Sequence, residues 1–487
     1  MVTLLETSTE IAFNLRCEYV SQRALCHKIT ATITAPLVRL DDATLLLATR
    51  ENVGKLWYSC ASRKPFKSKV LLMINKIKIS NYKSLNELEV EPGRLNVIIG
   101  ENGCGKSNFL EAVTLAGAAS IGKLDNEFLA NRGIRVTNPK LMRSNFVAKS
   151  DSVPIDIEIA SGDASTVKFK LNNDNKPYSS WEVDIEDDLQ DDFYKKFKNN
   201  LVNVIHEKIT LLELDTPATR LRLDNDESDP DHVLRDLAKD LVTKLNITKP
   251  SEIHRLVEFK VNRLSGNPFS KFIIYSPENS SLRNFYEEGQ VEPLGVNGQG
   301  LLKLLQVISS TDSSAYDDII ESLKVFSWFK GFKIPDEFSQ SKDQLEIKDK
   351  YTLLNFDQRS ANEGFLFVLF YVALVVSSDT PAIFAIDNID TSLNPKLCIK
   401  LTKLLSELAK KYNKQLFITT HNPAVLDGLD LNDDMQRLFV FNRNRHGHTK
   451  VKRITAENRP KSSTTKDYLN LSESMMRGYL KALPTNF

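Results

Sequence analysis

Hydrophobic and polar positions show no sustained period over residues 1–72, and a pattern then starts abruptly at Met73 with "MINKIKISNYKSL", where Ile74, Ile77 and Ile79 alternate in strand-like fashion. A hairpin-like pair of strands is expected from there to the apolar strand "LNVIIG" (Leu95 to Gly100), followed by a glycine-rich loop and a helix through "SNFLEAVTLAGAA". The stretch 185–270 is charged: "HVLRDLAKDLVTKL" puts Val233, Leu234, Leu237, Leu241 and Leu245 on one helical face, between the acidic runs "DIEDDLQDD" and "DNDESDPD". A strand "FIIYSP" and a glycine-studded "LGVNGQGLLKLL" come next. "GFLFVLFYVALVV" (Gly364 to Val376) reads as a buried helix, about 13 residues against the roughly 20 that span a bilayer. "PAIFAID" is a buried strand by its continuous apolar run. "NPKLCIKLTKLLSELAKKY" is a helix that Asn394 caps and Pro395 opens, and "QLFITTHNP" is a further strand with its terminal loop.

A strand, loop and helix early and two strands late predict one mostly parallel α/β sheet built from both ends of the chain. The helical middle is then an insertion. The divisions are 1–72, 73–184 (first half of the sheet domain), 185–270 (insertion) and 271–487 (second half). Residues 1–72 read as an appendage or an upstream start, with an N-terminal subdomain as the alternative. No internal repeat or low-complexity tract is visible.

Composition narrows the class without choosing a function. Lys and Arg total 64 against 63 Asp and Glu, a net charge of +1, so no global field draws the chain to nucleic acid or membrane. Five cysteines (Cys17, Cys26, Cys60, Cys104, Cys398) with no CxxC pair point away from a disulfide framework or zinc site and toward a reducing cytoplasm. There is no secretory signal pattern at the N-terminus.

The chemistry concentrates in "GENGCGKS" (Gly100, Glu101, Asn102, Gly103, Cys104, Gly105, Lys106, Ser107), which matches G-x-x-x-x-G-K-[ST] between an apolar strand and a helix that continues through Asn108. In this context glycines let backbone N–H groups turn onto phosphates, Lys106 reaches the β- and γ-phosphates, and Ser107 can ligate magnesium. Asp387 ends the strand of "PAIFAID", where its carboxylate would face that metal. His421 ends the next strand and can hydrogen-bond a γ-phosphate or an attacking water. Cys104 reads as a bystander, since nothing nearby in the sequence lowers a thiol pKa.

In this order, "GENGCGKS", a long insertion, "SANEGFLFVL", "AIDNIDTSLNP" and "TTHNP" resemble the ABC-type ATPases of the SMC and RecF group, above all the stand-alone forms of bacterial anti-phage systems. "NYKSL" is similar to that group's "NFKS" stretch, and "LSESMMRGYLKALP" to the tail of the PtuA ATPase subunits of Septu systems. The resemblance runs from about Met73 to the end. It implies an ABC-type head with an antiparallel β lobe, binding ATP and Mg²⁺. It also implies a head-to-head homodimer, or a larger assembly, in which the signature loop of one copy closes on the nucleotide of the other. The matching signature is "SANEGF", with Asn362 in the serine position followed by Glu363 and Gly364; Asn362 can still donate to a γ-phosphate. "TSLNP" matches the D-loop, and no Q-loop glutamine is identifiable.

A second departure from that group matters more. Asn388 follows Asp387 where a glutamate would orient and deprotonate the attacking water, a role typically worth about 10²–10⁴-fold. Asp390 can substitute if the loop bends, but in an extended segment it would lie on the face of Asn388 and about 6–7 Å further from the phosphate. The expectation is nucleotide binding with weak or absent hydrolysis. No nuclease motif accompanies the ATPase motifs, so the resemblance to Septu implies a partner HNH endonuclease of the PtuB type. The basic run Arg443 to Arg453 allows DNA contact. Two rivals stand beside this reading: an ATP-hydrolysing RecF/SMC-like repair or recombination ATPase using Asp390 or Glu363, and a homologue without nucleotide binding, which the intact Lys106 and Ser107 disfavour.

Overall fold

The structure, a computed structural model, describes residues 73–146, 153–162, 165–176, 179–187, 268–284, 293–334, 345–461 and 468–482. The expected helix "HVLRDLAKDLVTKL" and the whole of 1–72 lie outside the described residues.

Strands β1 (Ile74–Tyr82) and β2 (Leu85–Val90) form the expected hairpin, then β3 (Leu95–Gly100) leads into α1 (Lys106–Ala119). β4 (Ile155–Ser161), β5 (Ser165–Asn172) and β6 (Glu182–Asp187) complete an antiparallel sheet of order β2-β1-β4-β5-β6. β6 crosses the division placed at residue 185, because Val183 and Ile185 continue a period of two and pair with Leu171 and Phe169 of β5. After β7 (Ile274–Tyr275) come α2 (Leu301–Thr311), α3 (Ser313–Leu323), the small ribbon β8 (Phe329–Lys333) with β9 (Glu346–Asp349), and α4 (Glu363–Val376). β10 (Ile383–Ile386), α5 (Pro395–Lys411), β11 (Gln415–Thr419), the single turn α6 (Pro423–Leu426), β12 (Gln436–Arg443), β13 (Thr449–Ile454) and α7 (Leu471–Met476) follow.

The second sheet has the order β13-β12-β3-β11-β10-β7; all neighbours are parallel except the edge strand β13. β3 is therefore central although it comes first, and the late strands flank it, so both ends of the chain build one sheet. Its two faces explain the unbroken apolar runs. Ile98 and Phe417 pack with α1 and the antiparallel lobe, while Val97, Ile99 and Ile418 pack with α2, α3, α4 and α5 on the other side. α4 is buried from Gly364 to Val376, which accounts for its apolar sequence without a membrane; no described helix is long and apolar enough to cross one. α5 starts where expected. Asn394 accepts a hydrogen bond from the Leu397 N–H at 3.0 Å, Pro395 follows, and Lys410 and Lys411 lie in the last turn, where they suit the helix dipole.

Candidate functional site

The parallel strands β3, β10 and β11 end side by side, and the chemistry-bearing loops all leave from those ends. At the end of β3 the backbone of Gly100 has φ 151°, and a Cβ there would lie 2.2 Å from the Phe441 carbonyl oxygen of neighbouring β12. Gly105 has φ 107°, and its Cβ would meet Thr449 Oγ1 at 2.4 Å and Ser84 Oγ at 2.7 Å. Both positions exclude any side chain. Glu101, Asn102 and Gly103 form the accessible crest of the loop, and Cys104 is buried beneath it. Burial pushes the Cys104 thiol above its usual range, as a bystander requires.

Lys106 opens α1 and is only 7% exposed. Its Nζ donates to the Gly100 carbonyl at 2.9 Å and the Glu101 carbonyl at 3.1 Å, which folds the ammonium over the loop and leaves one of its three N–H donors over. Burial pulls its pKa down, while Cys104, Asp387 and Glu101 hold it up.

Asp387, at the end of β10, faces the next residue of α1: Ser107 Oγ lies 3.4 Å from Asp387 Oδ2. Two adjacent ligands of an octahedral magnesium, with bonds of 2.0–2.1 Å, stand about 3 Å apart, so this hydroxyl and carboxylate can share one ion after a small adjustment. The other oxygen, Oδ1, accepts from the Thr419 hydroxyl, whose oxygen in turn accepts the Asn388 N–H at 2.8 Å. Thr419 thus fixes both the direction of the carboxylate and the start of the following turn. No sequence motif marks Thr419, whose role comes from the pairing of β11 with β10.

The segment after Asp387 is a turn, not the extended run assumed in comparing Asp390 with Asn388. Asn388 takes φ 54° and Ser392 φ 60°, and the Thr391 and Leu393 N–H groups donate back to the Asn388 and Asp390 carbonyls at 3.2 Å each. Asn tolerates the left-handed region because its short amide can bond locally. Its side chain is exposed. Asp390 accepts through Oδ1 from the Thr420 hydroxyl at 2.6 Å and from the His421 N–H at 3.4 Å. Its Oδ1 thus anchors the histidine loop. Burial lowers the His421 pKa, and Lys106 lowers it further against the pull of Asp390 and Asp387, so this imidazole is disposed to be neutral. Behind it, the C-terminal helix α7 grips α6: Asp427 accepts from the Ser472 hydroxyl at 2.6 Å and the Ser472 N–H at 3.0 Å.

"NYKSL" is the turn of the β1–β2 hairpin, and it fastens the lobe to α1. Glu111, 1% exposed on α1, accepts from Tyr82 Oη at 3.1 Å, from Lys83 Nζ and from Arg135 Nε at 2.6 Å. Arg135 also reaches Asn108 Oδ1 at 3.3 Å. Burial works against the charge of Arg135, but Glu111 and, through space, Asp387 raise its pKa. Ser84 accepts from Asn108 Nδ2 at 2.8 Å, lies 2.8 Å from the Thr449 hydroxyl, and Thr449 Oγ1 lies 2.8 Å from the Cys104 carbonyl. Thr449 has a single proton, which its Cys104 bond uses, so Ser84 donates to Thr449 and the four groups form one directed chain onto the phosphate loop. Glu111, Arg135 and Thr449 have no sequence motif that announces them.

The residues expected to act as a signature lie at the start of α4. Asn362 is exposed at the start of α4 and its Oδ1 caps the Phe365 N–H at 3.3 Å, which leaves its NH₂ group as a donor. A Cβ on Gly364 would lie 3.1 Å from the Ser392 carbonyl, so the start of α4 touches the turn after Asp387. No hydrogen bond among the described residues joins Asn362, Glu363 or Gly364 to the phosphate loop.

A family profile described as "AAA domain, putative AbiEii toxin, Type IV TA system" matches residues 95–427, from the start of β3 to just past α6. Among solved structures, the chain is similar to an Smc head bound to the C-terminal winged-helix domain of ScpA (12% identity, 79% of this chain and 98% of that one, TM-score 0.46). It is also similar to the Smc head domain with an extended coiled coil, bound to the C-terminal domain of ScpA, from Pyrococcus furiosus (14%, 79% and 96%, TM-score 0.41). A third is an SMC head domain from Thermotoga maritima (12%, 79% and 99%, TM-score 0.37). No curated protein sequence matches.

Proposed function

We propose, from the premise that this chain belongs to the AAA-domain family described with the AbiEii toxin and the Type IV TA system, that it is an ATP- and Mg²⁺-dependent switch that holds ATP far longer than it splits it. One observation carries this reading. Lys106 and Ser107 stand beside Asp387, whose carboxylate Thr419 holds, while the next position offers the exposed amide of Asn388, and Asp390 accepts through Oδ1 from Thr420.

Gly100 to Lys106 bind and orient the β- and γ-phosphates through backbone N–H groups and the ammonium. Ser107 and Asp387 would hold the magnesium ion, which supplies charge neutralisation between the β- and γ-phosphates. His421, neutral and carried on the loop that Asp390 anchors, can hydrogen-bond the γ-phosphate or a water beside it. Asn388 can orient that water but is a poor proton acceptor. Two copies are proposed to associate head to head, each presenting the Asn362 amide and the free N–H groups that open α4 to the nucleotide of the other. Such a nucleotide-gated dimer suits control of another chain, and the partner proposed is an HNH nuclease of a Septu-like anti-phage system. The toxin–antitoxin wording of the family description supports a defence setting.

The test is co-purification with the product of a neighbouring nuclease gene, followed by nuclease assays with ATP, with ADP and with the Lys106→Ala chain. Nuclease activity that responds to ATP and loses that response in Lys106→Ala supports the switch; a nuclease that neither co-purifies nor responds refutes it. A second reading, a DNA-repair ATPase, draws on the β12–β13 hairpin, where Arg443, Arg445, Lys450 and Lys452 are all exposed. Phosphate release stimulated many-fold by DNA would favour that reading.

A further inference from the structure

Next to Asn362 the chain has an open cavity of about 420 Å³, lined by Trp328, Asp349, Phe356, Ser360 and Asn362 itself. Two of its walls are aromatic. The rings of Trp328 and Phe356 stand 5.8 Å apart, centroid to centroid, at 45°. Phe365 of α4 packs on Trp328 at 5.2 Å, and the Phe356 backbone exchanges hydrogen bonds of 2.7 and 3.0 Å with Ile347 of β9, so the fold holds both rings in place. Asp349 brings a charge to the same cavity. Its Oδ1 accepts the Tyr351 N–H at 2.7 Å, and it makes no ion pair among the described residues. Lys348, one residue back on β9, points to the opposite face of the strand, and Lys350 donates to the Ser327 carbonyl at 2.8 Å. A carboxylate beside aromatic faces suits a flat cation: a guanidinium stacks on the rings while its fork of N–H donors pairs with the carboxylate.

Such cations stand unpaired at the nucleotide end of the sheet. β12 runs parallel to β3 with Phe441 level with Gly100, so Arg443 and Arg445 lie past the strand ends, where the phosphate loop begins. Arg443 is paired across the hairpin with Thr449, and Thr449 donates to the Cys104 carbonyl at 2.8 Å. Arg437 and Arg453, further down the same hairpin, both pair with Asp434. Arg443 and Arg445 are exposed and make no ion pair among the described residues.

We propose that the cavity of Trp328, Phe356 and Asp349 receives a hairpin-tip arginine, Arg443 or Arg445, of a second copy of this chain. The inference rests on the head-to-head reading above. That arrangement brings Asn362 of one copy to the phosphate loop of the other, and with it the cavity that Asn362 lines toward the hairpin tied to that loop. Two-fold pairing makes the contact twice. The same approach covers Tyr351, Leu353 and Leu354, which follow Asp349 closely and are exposed although apolar. A nucleic acid could take the arginines, but its phosphates would leave the anionic cavity unfilled; charge complementarity therefore favours the second copy.

Sedimentation velocity with MgATP measures self-association of the full chain, of Asp349→Arg, of Arg443→Asp/Arg445→Asp, and of an equimolar mixture of the two variants, each shown to be folded by circular dichroism. In either variant alone both contacts set like charges against each other; in the mixture one contact is the native pair and the other its reversal. Each variant alone is expected to associate at least about 10-fold more weakly than the unaltered chain, and the mixture to return to within about threefold of it. A mixture as weak as its components, or either variant associating like the unaltered chain, overturns the proposal. Loss of oligonucleotide binding in the arginine variant with self-association unchanged assigns the arginines to nucleic acid and overturns it as well. If the unaltered chain does not associate with MgATP, the head-to-head reading falls first and takes the clasp with it.

Discussion

Replacing Asn388 by glutamate puts the missing proton acceptor one residue after Asp387. A general base contributes about 10²–10⁴-fold, or roughly 2.7–5.5 kcal/mol of barrier. Against this stands the backbone: Asn388 sits at φ 54°, in the left-handed region that asparagine tolerates and glutamate enters at a cost of roughly 1–2 kcal/mol. The net gain is then roughly 0.7–4.5 kcal/mol, about 3- to 2000-fold in the rate of ATP cleavage. Single-turnover phosphate release at saturating MgATP measures it. Asn388→Gly serves as the control that keeps the turn without a carboxylate, and Lys106→Ala as the blank. Glutamate faster than both asparagine and glycine by at least threefold supports the argument. Glutamate no faster than glycine, with magnesium and ATP still bound, refutes it, because the base would then have been supplied elsewhere in the unaltered protein.

Gly105→Ala forces a Cβ against Thr449 and Ser84 at a positive φ; strain and overpacking together cost roughly 2–5 kcal/mol, so equilibrium titration should show MgATP affinity reduced at least about 30-fold in a chain that remains folded. Glu111→Leu leaves the fully buried Tyr82 hydroxyl without a partner, a loss of about 1–3 kcal/mol that should lower the urea midpoint without changing the slope. Lys414, 4% exposed, donates to the Thr380 carbonyl and hydroxyl, each at 2.9 Å, and to the Pro381 carbonyl at 3.2 Å, yet burial pushes its pKa from 10.5 down to about 8. The folded chain therefore releases this proton near pH 8 and the unfolded chain near 10.5, so the Lys414 contribution to stability rises with pH across that window, by on the order of 3 kcal/mol. Denaturant titrations at pH 7.5 and 10 should show that rise, and Lys414→Met should flatten it.

Most of the fold could be read because its elements announce themselves locally. β3, β10 and α4 are unbroken apolar runs, and Asn394-Pro395 marks a helix start by capping chemistry that acts over three residues. The phosphate loop was legible for the same reason, since a fixed spacing of glycines, lysine and serine meets one physical need. What stayed hidden depends on contacts between distant segments. Thr419 matters only because β11 pairs with β10, and Thr449 only because β13 lies at the edge of the sheet next to Gly105. The course of the chain past Asp387 was not legible because the left-handed turn at Asn388 redirects it, and an alternation argument assumes that it runs straight. β6 keeps its two-residue period past residue 185, where acidic composition suggests an insertion.

The central claim separates holding ATP from splitting it, and one measurement addresses it directly. The purified chain is saturated with radiolabelled ATP and Mg²⁺, freed of unbound nucleotide, and the bound nucleotide is identified by chromatography over an hour. The account predicts stoichiometric label that remains triphosphate in the unaltered chain and no retained label in Lys106→Ala. Conversion to ADP at an ordinary enzymatic rate of about 1–10 per second, or no retention by the unaltered chain, would contradict it.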